Sequence, residues 1–256
     1  NKIVALAPSY GIDYFQDGGS RIGSFNRNQV GRSISEFYGY QIQGLFQTAA
    51  EVTGAPDQDG AEPGFFRYAD TNGDGKIGAD DRSFIGNPNP DFTYGLNIGL
   101  NYKGFDVSAF FYGSQGNDIF NYNRWWLDFW PSFQNQKSKD LLYKSWTPQR
   151  QDTNVPKASN KSNFSNNNVS NSYYVEDGSF LRWKNLQIGY TFPKEVLAKV
   201  GLSNARVYVQ TVNLFTWSKY SGLDPDVNND ADTFFGVDAG SYPVTKQYTF
   251  GLNIGF

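Results

Sequence analysis

The 256-residue chain contains no cysteine, no histidine and no methionine. Without thiols or imidazoles it can build no disulfide, no thiolate metal site, no imidazole base and none of the common nucleophilic triads, so it is not expected to be an enzyme. With no Met, Asn1 at its head and nothing resembling a signal peptide, the chain is expected to be a fragment of something longer. Charge is nearly balanced, at 22 Lys plus Arg against 25 Asp plus Glu, and no basic run lies beside interleaved aromatics. A nucleic-acid partner therefore has no electrostatic footprint. Mean hydropathy is negative, and no apolar run approaches the roughly 18 residues a membrane helix needs. A β-barrel remains possible, because only its outer face has to be apolar.

What the chain does have is aromatic rings, 17 Tyr and 22 Phe, together with abundant Asn, Gly and Ser and little Ala or Leu. That balance favours strands and turns, so the fold is expected to be all-β. In the final residues Tyr248, Phe250, Leu252, Ile254 and Phe256 alternate with Thr249, Gly251, Asn253 and Gly255. Period-two alternation puts the first set on one strand face and the second on the other, as a transmembrane barrel strand of about 9–11 residues requires. Phe92, Tyr94, Leu96, Ile98, Leu100 and Tyr102 repeat the pattern, and Gly-Leu-Asn-Ile-Gly occurs in both runs. Lys103 and Gly104 then separate the second run from Phe105–Tyr112, which predicts a tight hairpin over 92–112.

A strand pair is expected over 179–214, joined through residues 193–201 with one or two helical turns, and a terminal strand over 246–256. Between these lie long connections at 8–91, 113–177 and 215–244, too long for ordinary loops. Short and long connections alternate, as periplasmic turns and extracellular loops do in outer-membrane barrels. If the last strand runs down to the periplasm, all three long segments lie outside the cell and Lys2–Leu6 is the tip of an upward strand. About six strands are visible, too few to enclose a pore. A soluble β-sandwich or small barrel is the alternative that alternation alone leaves open.

Asp70, Asn72 and Asp74 stand at positions 1, 3 and 5 of an EF-hand-like spacing over 70–81, with Gly75 at the sharp turn. Lys76 supplies a backbone carbonyl at position 7, and Asp81 stands at 12 where a longer Glu would close the site. A structural Ca2+ ion is expected there; a metal-free Asp/Asn/Gly turn is the alternative. Tyr122, Arg124, Trp125, Trp126, Phe129 and Trp130 form the densest aromatic group. Their rings could stack on a sugar or a partner, form a core for their own loop, or belong to a membrane-interface girdle. The Asn/Ser-rich stretch 160–171 reads as a hydrated loop tip. Asp224, Asp226, Asn228, Asp230 and Asp232 are spaced too loosely to favour a second cation over a solvated loop.

Several blocks in order resemble one family. They are Ser35–Gln47, the segment from Gly64 through the 70–82 loop to Gly95, Trp146-Thr-Pro148, Gly178–Tyr190, Asn213–Pro225 and the terminal strand. Together they are similar to the SusC-like TonB-dependent transporters of the Bacteroidetes outer membrane, across nearly the whole chain. The resemblance implies the C-terminal part of a plugged transmembrane barrel of about 22 strands. It further implies import of oligosaccharides, peptides or similar large nutrients under a SusD-like lipoprotein lid, driven through TonB. The family's plug, TonB box and N-terminal extension have no counterpart in these residues. Tyr248, Phe250, Leu252, Ile254 and Phe256 look like the signal read by the barrel-assembly machinery, with membrane lipid around the strands. Two other readings are a SusC-like barrel that anchors a surface complex and, less compatible with the blocks, a soluble carbohydrate-binding β-domain.

Overall fold

The computed structural model describes residues 1–6, 11–16, 20–129, 131, 136–227 and 234–256. The chain divides into two compact units: 90–116, 178–225 and 242–256 form a sheet unit, and 1–89, 117–177 and 226–241 form a loop unit.

The sheet unit is five antiparallel strands, Phe92–Tyr102, Phe105–Gln115, Phe180–Thr191, Asn204–Ser218 and Gln247–Gly255. From one edge to the other the order runs terminal strand, 204–218, 180–191, 105–115, 92–102, so among the described residues the outer two strands are unpaired on their far sides. Each connection at one end is short. Lys103 (φ 46°) and Gly104 (φ 86°) both take left-handed backbone, which gives the two-residue turn whose twist matches its flanking strands. The other short link carries a helical turn at Lys194–Leu197 and a 3-10 turn at Ala198–Val200, stopped by Gly201 at φ 73°. All long connections leave the opposite end. Pairing continues past the sequence expectation, to Gln115 and Ser218.

The loop unit folds around its own aromatic core. Phe37–Tyr40 pairs with Arg82–Gly86, and Ile42–Leu45 pairs with Phe66–Tyr68. Asp118–Asn121 lies between Val175–Asp177, antiparallel, and Val237–Asp238, parallel. Phe25, Phe37, Phe66, Tyr68, Phe120, Trp125, Phe129, Trp146, Tyr173 and Tyr174 are among the rings that fill the interior. Most contacting pairs are tilted or edge-on, such as Phe25 and Tyr122 at 4.9 Å and 64°, a geometry worth about 0.5–1.5 kcal/mol beyond burial.

Lys2–Leu6 forms no strand, which corrects the expectation of an upward strand tip. Ile3 instead donates its N–H to the Arg32 carbonyl (2.8 Å) and accepts from Gly31 (2.9 Å), which spends this segment's hydrogen bonds on a neighbouring turn.

Candidate functional site

Residues opposite one another in an antiparallel ladder share a face. The register sets Leu96 opposite Phe111, Leu100 opposite Val107, Tyr190 opposite Phe105, Ile188 opposite Val209 and Val209 opposite Phe250. One face is therefore a continuous apolar surface from Phe92 to Ile254 across five strands. It has no cover within the sheet: Leu100 is 64% exposed, Leu252 60% and Phe250 80%. Trp183 stacks on Phe111 at 5.0 Å on this face. In the 180–191 strand the apolar series moves from odd positions (Leu181, Trp183) to even ones (Leu186, Ile188, Tyr190) across Lys184, where a bulge shifts the register.

The other face carries Thr93, Asn97, Ser108, Gln187, Gln210, Thr249 and Asn253, and holds charge in pairs. Arg206 grips Asp106 through two parallel bonds of 3.0 and 2.6 Å, the fork geometry that suits guanidinium and carboxylate. Arg182, fully buried, donates to the Thr216 hydroxyl (3.0 Å) and pairs with Asp224. Asp224 also accepts the Val244 N–H at 3.0 Å. The expected looser acidic group is thus partly spent on a buried arginine, while Asn228, Asp230 and Asp232 lie outside the described residues. Tyr208 lies over Gly251, where a Cβ would fall 2.1 Å from the ring, so only glycine fits beneath it.

In the loop unit, the 70–81 segment is folded by its own side chains. Asp70 accepts from the N–H groups of Gly73 (2.6 Å) and Gly75 (2.9 Å), Asn72 from Asp74 (2.9 Å), and Asp74 from Lys76 (2.8 Å). Gly73 and Gly75 supply the left-handed backbone this winding needs, at φ 76° and 81°. Ile77 and Gly75 pair with Asp57 through bonds of 2.8 and 2.9 Å, which ties the loop to the rest of the unit. Asp81 is buried, and its two oxygens accept from Thr71 (2.8 Å) and Gly78 (2.7 Å). Burial opposes its charge, but the backbone donors of Gly78, Thr71 and Asn72 outweigh that and hold its pKa below the usual carboxylate value. The donor set is all oxygen, as a hard cation prefers, yet among the described residues no three carboxylates converge as a metal cluster.

Of the aromatic contact candidates, Tyr122, Trp125 and Phe129 are buried in the loop unit's core, and Trp126 is partly buried against it. Trp125 meets Trp126 edge-on at 4.7 Å and donates its indole N–H to the Asn167 carbonyl (2.8 Å). These rings pack on one another, Tyr122 against both Trp125 and Trp126. Trp130 lies outside the described residues. Arg124 is fixed by Asp128 (3.1 Å), by the Tyr173 carbonyl (2.9 Å) and by the Tyr173 ring, whose centroid is 3.8 Å from its guanidinium carbon. Burial would lower the Arg124 pKa, but Tyr173, Asp128 and Glu176 together raise it, so the site stays charged.

The chain is 38% identical over 268 residues to TonB-dependent receptor P3 of Formosa agariphila, covering all of this chain and 26% of that protein. It is 26% identical over 283 residues to TonB-dependent receptor SusC of Bacteroides thetaiotaomicron, covering 23% of it. Among solved structures, the RagAB peptide importer in its open-open state matches with a TM-score of 0.74 at 25% identity, over the whole chain and 25% of that one. Along its whole length the chain is similar to TonB-dependent receptors, SusC among them. No protein-family model matches it. The chain spans about a quarter of the length of the relatives it matches.

Within this segment the alternating strands were legible from sequence, whereas the Arg182–Asp224 and Arg124–Asp128–Tyr173 groups were not. Arg182 and Asp224 stand 42 residues apart and Asp128 and Tyr173 stand 45 apart, and neither separation carries a local pattern. Arg182 shares its strand with a second cation, Lys184, and with Asn185 and Gln187, so charge within the strand did not single it out.

Proposed function

We propose that this chain supplies barrel wall and extracellular loops to an outer-membrane SusC-type importer of oligosaccharides, peptides or similar large nutrients. The apolar sheet face that no part of the sheet unit covers carries this reading, because hydrocarbon is the solvent that such a surface suits. The polar face, with its paired Arg206 and Asp106, then lines a hydrated lumen. The unpaired edges at 92–102 and 247–255 are where further strands close a barrel of about 22. The end with the long connections faces the medium, and the two short links face the periplasm. A SusD-like lipoprotein lid, TonB coupling through other parts of the receptor, and recognition of Tyr248, Phe250, Leu252, Ile254 and Phe256 by the assembly machinery complete the reading. None of the chemistry described calls for catalysis.

Cysteine labelling tests the wall, since these 256 residues carry no thiol of their own. Single Cys replacements at Leu252, Phe250, Thr249 and Asn253 in the full-length receptor, in membranes, should divide by face. Polar thiol reagents should label 249 and 253, and only lipophilic reagents should label 250 and 252. Polar labelling of both faces alike would remove the lipid-facing belt and the importer reading with it.

The same proposal places a hard divalent cation, most simply Ca2+, in the 70–81 loop, held by Asp70, Asn72, Asp74 and the Lys76 carbonyl with Asp81 closing the loop. Its role is to stiffen the segment. A chelator should increase protease cleavage between Gly64 and Gly86, and Asp70→Ala should do the same without chelator. Cleavage that Asp70→Ala raises and chelator leaves unchanged assigns the loop to its hydrogen bonds alone.

A further inference from the structure

A cavity of about 530 Å³ opens on the loop unit. Its lining combines the apolar side chains Leu141, Leu142, Trp146 and Pro148 with the cations Lys137, Arg150 and Lys157. No Asp or Glu lines it. Among the described residues none of the three cations makes a salt bridge, and the neighbouring carboxylates are engaged elsewhere: Asp140 with Lys144 (2.8 Å) and Asp128 with Arg124 (3.1 Å). Asp128 acts electrostatically on Lys137, but no carboxylate lines the cavity beside Arg150 and Lys157, and an anion with an apolar body would complement them.

The walls are built rather than incidental. Trp146 donates its backbone N–H to Val155 (2.9 Å) and its indole N–H to Gln47 (2.7 Å), which fixes the ring. Lys157 is tied to Gly64 by a 2.8 Å backbone bond, and a Cβ at Gly64 would strike both the Trp146 ring and the Lys157 stem, so glycine lets the two close up. Thr147 and Arg150 exchange backbone bonds of 3.2 and 2.9 Å, and the Arg150 guanidinium donates to the Ser145 carbonyl (3.1 Å), which anchors one end of its fork. Lys137 donates to the carbonyls of Trp126 (3.0 Å) and Phe129 (2.6 Å), which uses two of its three protons.

We propose that this cavity is a binding subsite for an organic carboxylate with an apolar body, Arg150 and Lys157 meeting the carboxylate while Leu142 and Trp146 cover the body. Arg150 suits that headgroup because its planar fork matches a carboxylate through two bonds. The inference stands independently of import, since binding can be measured where nothing is transported.

The test uses the full-length receptor in lipid nanodiscs and three probes followed by ligand-observed NMR: N-acetyl-leucine, N-acetyl-leucinamide and acetate. The amide keeps the body and loses the charge; acetate keeps the charge and loses the body. N-acetyl-leucine should bind about tenfold tighter than either, the scale of one charge-assisted hydrogen bond. Lys157→Gln and Arg150→Lys should each weaken it severalfold while leaving the protease pattern of the loop unit unchanged. Equal affinity for acid and amide, no detectable binding of the acid at any soluble concentration, or an affinity untouched by both substitutions would overturn the assignment.

Discussion

The two units use the same residue types in opposite ways. In the loop unit Phe66, Phe120 and Tyr174 have no exposed surface, whereas in the sheet unit Tyr102 is 70% and Phe250 80% exposed. In the first, apolar area leaves water by packing on other parts of the chain, at roughly 25 cal/mol per Å². In the second, the same area gains nothing until something outside the sheet covers it, which on the proposed reading is hydrocarbon. The comparison teaches that aromatic content says how much surface wants to leave water, and topology says what receives it. The loop unit buries its rings on its own chain, while an open five-stranded sheet with bare edges leaves both its apolar face and its edge hydrogen bonds to be satisfied from outside.

The sharpest way to break that comparison is to remove one ring from each unit of the membrane-embedded receptor. Phe120→Ala should destabilise the loop unit by about 3–5 kcal/mol, because Phe25, Phe37 and Tyr174 are left facing a void. Protease susceptibility under rising urea reads the loss. If Phe250→Ala costs as much by the same assay, the distinction between the units is wrong. A smaller effect comes from charge on the belt. Leu252→Arg should cost about 2–4 kcal/mol near the bilayer centre and lower the amount of heat-modifiable barrel in the membrane, while Thr249→Arg on the polar face should be tolerated. Equal losses would mean that the two faces meet the same solvent.

Legibility in the sequence follows the same division. Phe92–Tyr102 and the terminal strand could be read because one face is uniformly apolar, and the Lys103-Gly104 turn because two residues between alternating runs leave few geometries. The strand over 204–218 was foreseen only to Leu214, since Asn213 takes left-handed backbone (φ 53°) and the irregular register beside it interrupts the pattern before Phe215 and Trp217 resume it. The loop unit's core had no comparable signal. Gln58 donates to Ser165 across 107 residues and Trp146 to Gln47 across 99, and the 237–238 strand joins the 118–121 strand in parallel. Local periodicity cannot announce contacts of that range. The 70–81 loop was legible as a winding, because alternate Asp and Asn side chains accept from the backbone two to five residues on; what it holds is a separate question of charge.

The smallest predicted effect addresses that question through acid. Asp81 has a folded-state pKa below its unfolded one, because the donors of Gly78, Thr71 and Asn72 outweigh the cost of burying its charge. Its contribution to stability is therefore complete above the unfolded value, near 4, and is lost as pH falls through the folded value, since the unfolded chain takes up the proton first. Protease cleavage within 64–86 should rise as pH drops below about 4, with an acid-stable protease as the probe. Asp81→Asn keeps the shape but cannot titrate, so it should raise cleavage at neutral pH and flatten the acid slope. The measurement also separates the two readings of the loop. If a cation lies beside Asp81, chelator should shift the wild-type transition to higher pH, because removing a nearby positive charge makes the carboxylate easier to protonate. If hydrogen bonds alone wind the loop, chelator should leave the transition where it is.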